Sequence, residues 1–191
     1  MSNGFRVIVL GTLDRVDGRP ALVVDYGPRG VKAHLLTEEQ YESLTEWDPT
    51  EWVTDPSVQT KELLKALEGL GAICVVREGA DLRELDVRVV RRQNVAWRPA
   101  PDGGTLFEFA NGQTLEGNEV DLEVISRADG YSTLGRLVSD ARDTWQRDQP
   151  AEVRQLERNA NKPFSEIMLD EALGFVGTYC GFGLISLEPV S

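Results

Sequence analysis

Two stretches of this chain end alike. KALEGLGAICVV (65–76) and GFVGTYCGFGLISL (174–187) each run from an apolar helix end, through glycines, into a short apolar strand. A repeat of this kind restricts the chain to folds made of two similar units in tandem. In the first copy Leu63, Leu64, Ala66, Leu67 and Leu70 form one helical face over about Gln59–Leu70, and Gly69 and Gly71 precede a strand at Ala72–Val76. In the second, Leu122, Val124 and Ile125 mark a helix stopped by Asp129-Gly130, since glycine is the usual residue past a helix end. Ser132 or Thr133 then caps a helix built on Leu134, Leu137, Val138 and Ala141. Ser165 caps a third, built on Ile167, Leu169, Ala172, Leu173 and Val176. Gly181 and Gly183 release it into a strand at Leu184, Ile185 and Leu187.

Upstream of each helical stretch lies strand-like sequence. Phe5–Gly11, Pro20–Tyr26 and Val31–Leu36 are separated by turn signals at Asp17-Gly18 and Gly27-Pro28-Arg29-Gly30. Thr37 and Gln40 form a capping-box pattern that starts a helix running to about Glu46. The following Trp47–Ser57 segment is broken by Pro49 and Pro56, and its two tryptophans, Trp47 and Trp52, read as a lid on the core or as an exposed contact. In the second half a long strand is expected over Leu85–Trp97, a hairpin turn at Pro101–Gly104, a strand at Thr105–Phe109, a turn at Asn111-Gly112 and a short strand at Gln113–Glu116. The expected fold is therefore α+β, with tandem winged-helix units. Each is a three-stranded antiparallel meander followed by a three-helix bundle and a closing strand. The units span 1–78 and 85–191, joined by the polar Glu78–Glu84. A polar insert at about 146–163 is helical near Ala151–Arg158.

Charge narrows the function. The 191 residues include 41% apolar ones, enough for a core, but carry a formal net charge of -12. Phosphate binding needs clustered Lys and Arg, and the third helix of the second half offers Glu166, Asp170 and Glu171 where a DNA-reading helix needs bases or amides. Nucleic acid is thus disfavoured as a partner. No signal peptide or bilayer-spanning run is seen, so no membrane is expected and the location reads as cytoplasmic. Cys74 and Cys180 sit at equivalent places in the two repeats and read as small buried hydrophobes, with a disulfide between them left open.

No catalytic constellation stands out. His34 is the one histidine and has no companions at metal-ligand spacing. Ser, His and Asp are all present, so a triad stays open on residue types alone, but no G-x-S-x-G occurs. Neither Gly27–Gly30 nor Gly181-Phe182-Gly183 has the setting of a phosphate loop. No cofactor or metal is expected, and a binding protein is favoured over an enzyme. The third strand of each meander would be a sheet edge able to take an extended peptide as an added strand. The candidate peptide-binding residues are Val31, Lys32, Ala33 and His34 on the first edge, Lys61, Leu64 and Lys65 on the helix beside it, and Gln113, Thr114 and Leu115 on the second edge. The locally basic first groove suits an acidic peptide. The plainer alternative is that Lys61 and Lys65, at i and i+4, only solubilise a helix face.

The element ADGYSTLGRLVSDA, with Asp129-Gly130, Thr133 and Leu137, followed later by Gly183-Leu184-Ile185, resembles the PqqD-like fold, the peptide-recognition domain of ribosomally made peptide pathways. Two such units in tandem are similar to the amino-terminal part of azoline dehydrogenases and their partner proteins. The resemblance implies a non-catalytic protein that binds a precursor leader peptide and presents it to a peptide-modifying enzyme. A homodimer stays open. The alternatives are a winged-helix scaffold subunit, a DNA-binding regulator, or an enzyme fragment that takes its flavin or metal from a partner chain.

Overall fold

A computed structural model describes residues 4–26, 29–54, 56–92, 95–101, 104–109, 112–181 and 184–190. The turn positions Gly27-Pro28, Asp102-Gly103 and Asn111, and Phe182-Gly183 after the last helix, lie outside the described residues. The fold is α+β, with six α-helices and several small antiparallel sheets among those residues.

The first half comprises β1 (Phe5–Val9), β2 (Thr12–Val16), β3 (Arg19–Asp25), β4 (Val31–Leu35), α1 (Glu38–Thr45), α2 (Val58–Gly69) and β5 (Ile73–Arg77). A 3-10 turn at Leu82–Glu84 leads to β6 (Val87–Arg91), β7 (Val95–Pro99), β8 (Thr105–Phe109), β9 (Thr114–Gly117) and α3 (Glu119–Ser126). The chain ends with β10 (Asp129–Thr133), α4 (Leu134–Asp148), α5 (Pro150–Ala160), α6 (Phe164–Gly181) and β11 (Ile185–Pro189). Each half holds a three-stranded meander, β2-β3-β4 or β7-β8-β9, and each is closed by pairing its first strand with its last, β1 with β5 and β6 with β11. β10 adds to the far side of β6.

The expected meander differs in one respect. FRVIV does not belong to it; the strand Thr12–Val16 takes its place. FRVIV is apolar at nearly every position, a pattern that suits a strand covered on both faces. TLDRV alternates weakly and leaves one face in solvent, so its signal is faint. Side chains alternate along a strand, and β1–β5 uses this fully. Val7 and Ile73 enter the first half's core with Leu22, Leu44 and Leu67. Ile8, Leu10 and Val76 enter the second half's core with Leu134, Leu137 and Leu173. The ribbon is therefore a wall shared by two cores. The expected Glu78–Glu84 joint is also packed: Leu82 and Leu85 at the 3-10 turn are buried in the second core.

Other local expectations shift for identifiable reasons. Leu85–Trp97 is not one strand: β6 lies between β10 and β11, β7 pairs with β8 in another sheet, and Gln93-Asn94 between them lie outside the described residues. The first half has two helices rather than three among the described residues, since Pro49 and Pro56 interrupt the segment between α1 and α2. The second half has four, because the polar insert folds as α5 with Pro150 in its first turn and Asn161, at φ 53°, beyond its end. Asp129-Gly130 begins β10 rather than simply ending α3. The Asp129 carboxylate accepts the N–H groups of Tyr131 and Ser132 at 2.8 and 3.0 Å. Ser165 does not cap α6. The helix starts one residue earlier, and Glu157 of α5 accepts the Phe164 N–H at 3.0 Å. The Thr37–Gln40 capping box forms as expected, with bonds of 3.2 and 3.0 Å, and Thr133 caps α4.

Both cysteines are free thiols. Burial pushes Cys74 up to about 11 and Cys180 up to about 12, so neither is a nucleophile near neutral pH. Trp47 packs on the first core, and the Trp52 ring lies under the Arg6 guanidinium at 4.2 Å.

Candidate functional site

β4 pairs with β3 alone, so one side of it is a sheet edge among the described residues. Its hydrogen-bonding register follows from the bonds that flank it. Tyr26 N–H donates to the Gly30 carbonyl at 3.1 Å, and Leu36 N–H donates to the Pro20 carbonyl at 2.9 Å. In an antiparallel ladder alternate residues exchange bonds with the partner strand. Lys32 and His34, opposite Val24 and Leu22, therefore bond inward to β3. Val31, Ala33 and Leu35 turn their N–H and C=O groups outward. The same three residues share one sheet face. Val31 is 63% exposed and Leu35 56%, with Ala33 exposed between them. Unpaired backbone and an apolar row together make the kind of edge that natural proteins usually blunt.

The opposite face of β4 is polar and tied to the helices. Tyr26 donates its hydroxyl proton to the Leu70 carbonyl at the end of α2 (2.9 Å) and lies 2.8 Å from His34 Nε2. A phenol has one proton to give. His34 must therefore carry its own on Nε2 and donate to the Tyr26 oxygen. Arg29 and Lys32 stand over the Tyr26 ring at 5.4 and 5.6 Å, so this face is locally cationic. Burial, and then the Lys32 charge, lower the His34 pKa from its ordinary value, while burial raises that of Tyr26. An unfolded chain then binds a proton on His34 before the folded one does. Stability will fall as pH drops through about 6.5, the ordinary histidine value, and a His34→Gln protein will show a shallower fall between about pH 7 and 5 in urea titrations. Equal slopes would mean that His34 is not held neutral.

The remaining expected residues are distributed unevenly. Leu64 is 7% exposed and belongs to the first core with Leu63 and Leu67. Lys61 and Lys65 are exposed on α2, roughly two and a half and one and a half turns before its Leu70 end. On the second edge, Phe109 N–H donates to the Gln113 carbonyl at 2.9 Å, which makes Leu115 a ladder-bonded position opposite Phe107. The outward positions of β9 are Thr114 and Glu116, both exposed and polar. The two edges are thus not equivalent: β4 offers an apolar row, β9 a shorter polar one. Leu35 completes that row, and Tyr26, Arg29 and Leu70 back it. Leu35 was signalled by the V-x-A-x-L alternation, whereas the other three are joined to β4 only by the fold.

No helix among the described residues is long and apolar enough to cross a membrane. No group of three His, Cys, Asp or Glu side chains among them is placed to hold a metal ion. No protein-family model matches the chain, and no curated protein or solved structure matches it significantly.

Proposed function

We propose that this protein is a non-catalytic peptide-recognition or partner protein, built of two tandem units of winged-helix kind, that takes an extended peptide as an added strand on β4. The observation that carries the reading is the β4 edge, where outward backbone groups coincide with the exposed row Val31, Ala33 and Leu35. Main-chain bonds would supply affinity and the row would select apolar side chains at alternate peptide positions. Arg29 and Lys32 favour an acidic peptide. The resemblance of the second half to PqqD-like domains names the class, a precursor leader peptide presented to a modifying enzyme in the cytoplasm. The helix–glycine–strand endings of both halves and their first-to-last strand closure support the tandem reading.

The test is Ala33→Pro. Residue 33 makes no ladder bond through its N–H, so proline there spares β3–β4 and removes an outward donor. The probe is a fluorescein-labelled ten-residue peptide alternating valine with glutamate. Ala33→Pro should weaken its binding at least about tenfold, the loss of one or two hydrogen bonds together with strand alignment. Lys32→Glu should also weaken it. Equal affinity of wild type and Ala33→Pro would end the strand-addition reading. Self-association abolished by Ala33→Pro would give the edge to a second copy of the chain instead.

A further inference from the structure

A second cleft lies between β9 and α6, about 310 Å³ in volume and lined by Glu116, Asp121, Asp170, Glu171, Phe175 and Tyr179. Its acidic groups are not in equivalent states. Asp170 is already neutralised, by Arg6 at 2.7 Å and Lys162 at 2.9 Å. Asp121 and Glu171 have no cationic partner among the described residues. Both are gathered by Asn118, whose N–H donates to Asp121 Oδ2 at 2.9 Å and whose amide donates to Glu171 Oε2 at 3.4 Å. Tyr179, 2% exposed, lies beside Asp121, yet its hydroxyl makes no hydrogen bond of good geometry among the described residues. The site is kept open by a glycine: a Cβ on Gly117 would sit 2.5 Å from the Tyr179 hydroxyl and 2.8 Å from Asp121 Oδ2.

We infer that this cleft binds the guanidinium group of an arginine side chain presented by a peptide. The cleft brings the exposed Glu171 carboxyl and the half-buried Asp121 carboxyl together over the buried Tyr179 hydroxyl, with no cationic partner for either carboxyl among the described residues. A guanidinium is the complementary object, planar, always charged and made only of donors. Burial pushes Asp121 up, and burial followed by the Asp121 charge pushes Glu171 up. Neighbouring Asp170 shows what a cation does in the same wall: burial works to raise its pKa, but Lys162 and Arg6 hold it below its ordinary value. A metal ion fits less well, since no third ligand completes a shell among the described residues.

The test uses the full chain and the tripeptide acetyl-Gly-Arg-Gly-amide in calorimetry, beside the citrulline analogue, which keeps the shape and loses the charge. The arginine peptide should bind saturably, and the citrulline peptide should bind at least about tenfold more weakly, the value of one charge-assisted hydrogen bond. Glu171→Gln should cause a similar loss, with an unchanged far-ultraviolet circular dichroism spectrum showing that the fold persists. Ala33→Pro should leave arginine binding untouched, which separates this site from the β4 edge. Equal binding of the two peptides, no saturable heat with arginine, or full affinity in Glu171→Gln would each overturn the assignment.

Discussion

Gly135→Ala is expected to be among the most damaging single-atom additions to this chain. Gly135 is buried in the first turn of α4, and its N–H donates to the Leu85 carbonyl at 3.0 Å. A methyl group there would lie 2.2 Å from the Leu82 carbonyl oxygen and 3.2 Å from that of Leu85. These are backbone atoms of the packed 3-10 turn, not the free end of a side chain, so α4 or the turn has to move. Either movement opens the contact around Leu82, Leu85, Leu134 and Leu137, all buried in one cluster. Overpacking costs about 1–3 kcal/mol and the weakened hydrogen bond about 1 more, so a loss of roughly 2–4 kcal/mol is expected in urea unfolding. Gly174→Ala is the control. Nothing lies within 4 Å of a Cβ at that position in α6, so the same change should stabilise by about 0.5–1 kcal/mol through helix propensity. An unchanged midpoint for Gly135→Ala would mean that the turn yields without cost.

Asp170→Ala should be nearly as costly, for an electrostatic reason. Arg6 of β1 has a side chain only 5% exposed, held between the Trp52 ring and Asp170 of α6. Removing the carboxylate leaves a guanidinium buried without its counterion. Breaking a buried pair from one side typically costs 3–5 kcal/mol; because Asp170 itself is about a third exposed, roughly 3 kcal/mol is expected. The double variant Arg6→Met, Asp170→Leu should recover much of that loss, since no charge is then stranded. The pH dependence has a defined sign. A carboxyl whose pKa is lowered on folding contributes stability that is lost as pH falls through its folded value. The acid limb of the stability curve should therefore be shallower in Asp170→Ala. If single and double variants were equally unstable, packing rather than charge would be at issue.

Much of this organisation was legible in the sequence where one signal dominated. The apolar helix faces, the Thr37–Gln40 box and the glycine exits each rest on local chemistry, and α1, α2 and the closing strands lie close to where that chemistry puts them. Partnership of strands was not legible. FRVIV announces that it is buried but not that its two faces serve different cores, and nothing in TLDRV competes with it for a place in the meander. The β4 row could be read from its alternation, yet its outward backbone register depends on where Tyr26 and Leu36 bond. Leu64 illustrates the limit of reasoning by proximity: it lies on the helix placed beside the candidate groove but faces the opposite way, into the core. The Asp121–Glu171 pair joins positions fifty residues apart, and only the packing of α6 against β9 and α3 brings them together.

The two-faced ribbon also has a consequence on the ribosome. β1 finds its partner once β5 has been made, and the first core can then close. Ile8, Leu10, Cys74 and Val76 on the other face remain bare until the second core is complete, and that core needs β11. The ribosome must add roughly 110 further residues between the two events, about 5–20 s at ordinary bacterial or eukaryotic speeds. During that interval the nascent chain presents a sticky strip to the cell. Fast translation of the second half would shorten the exposure.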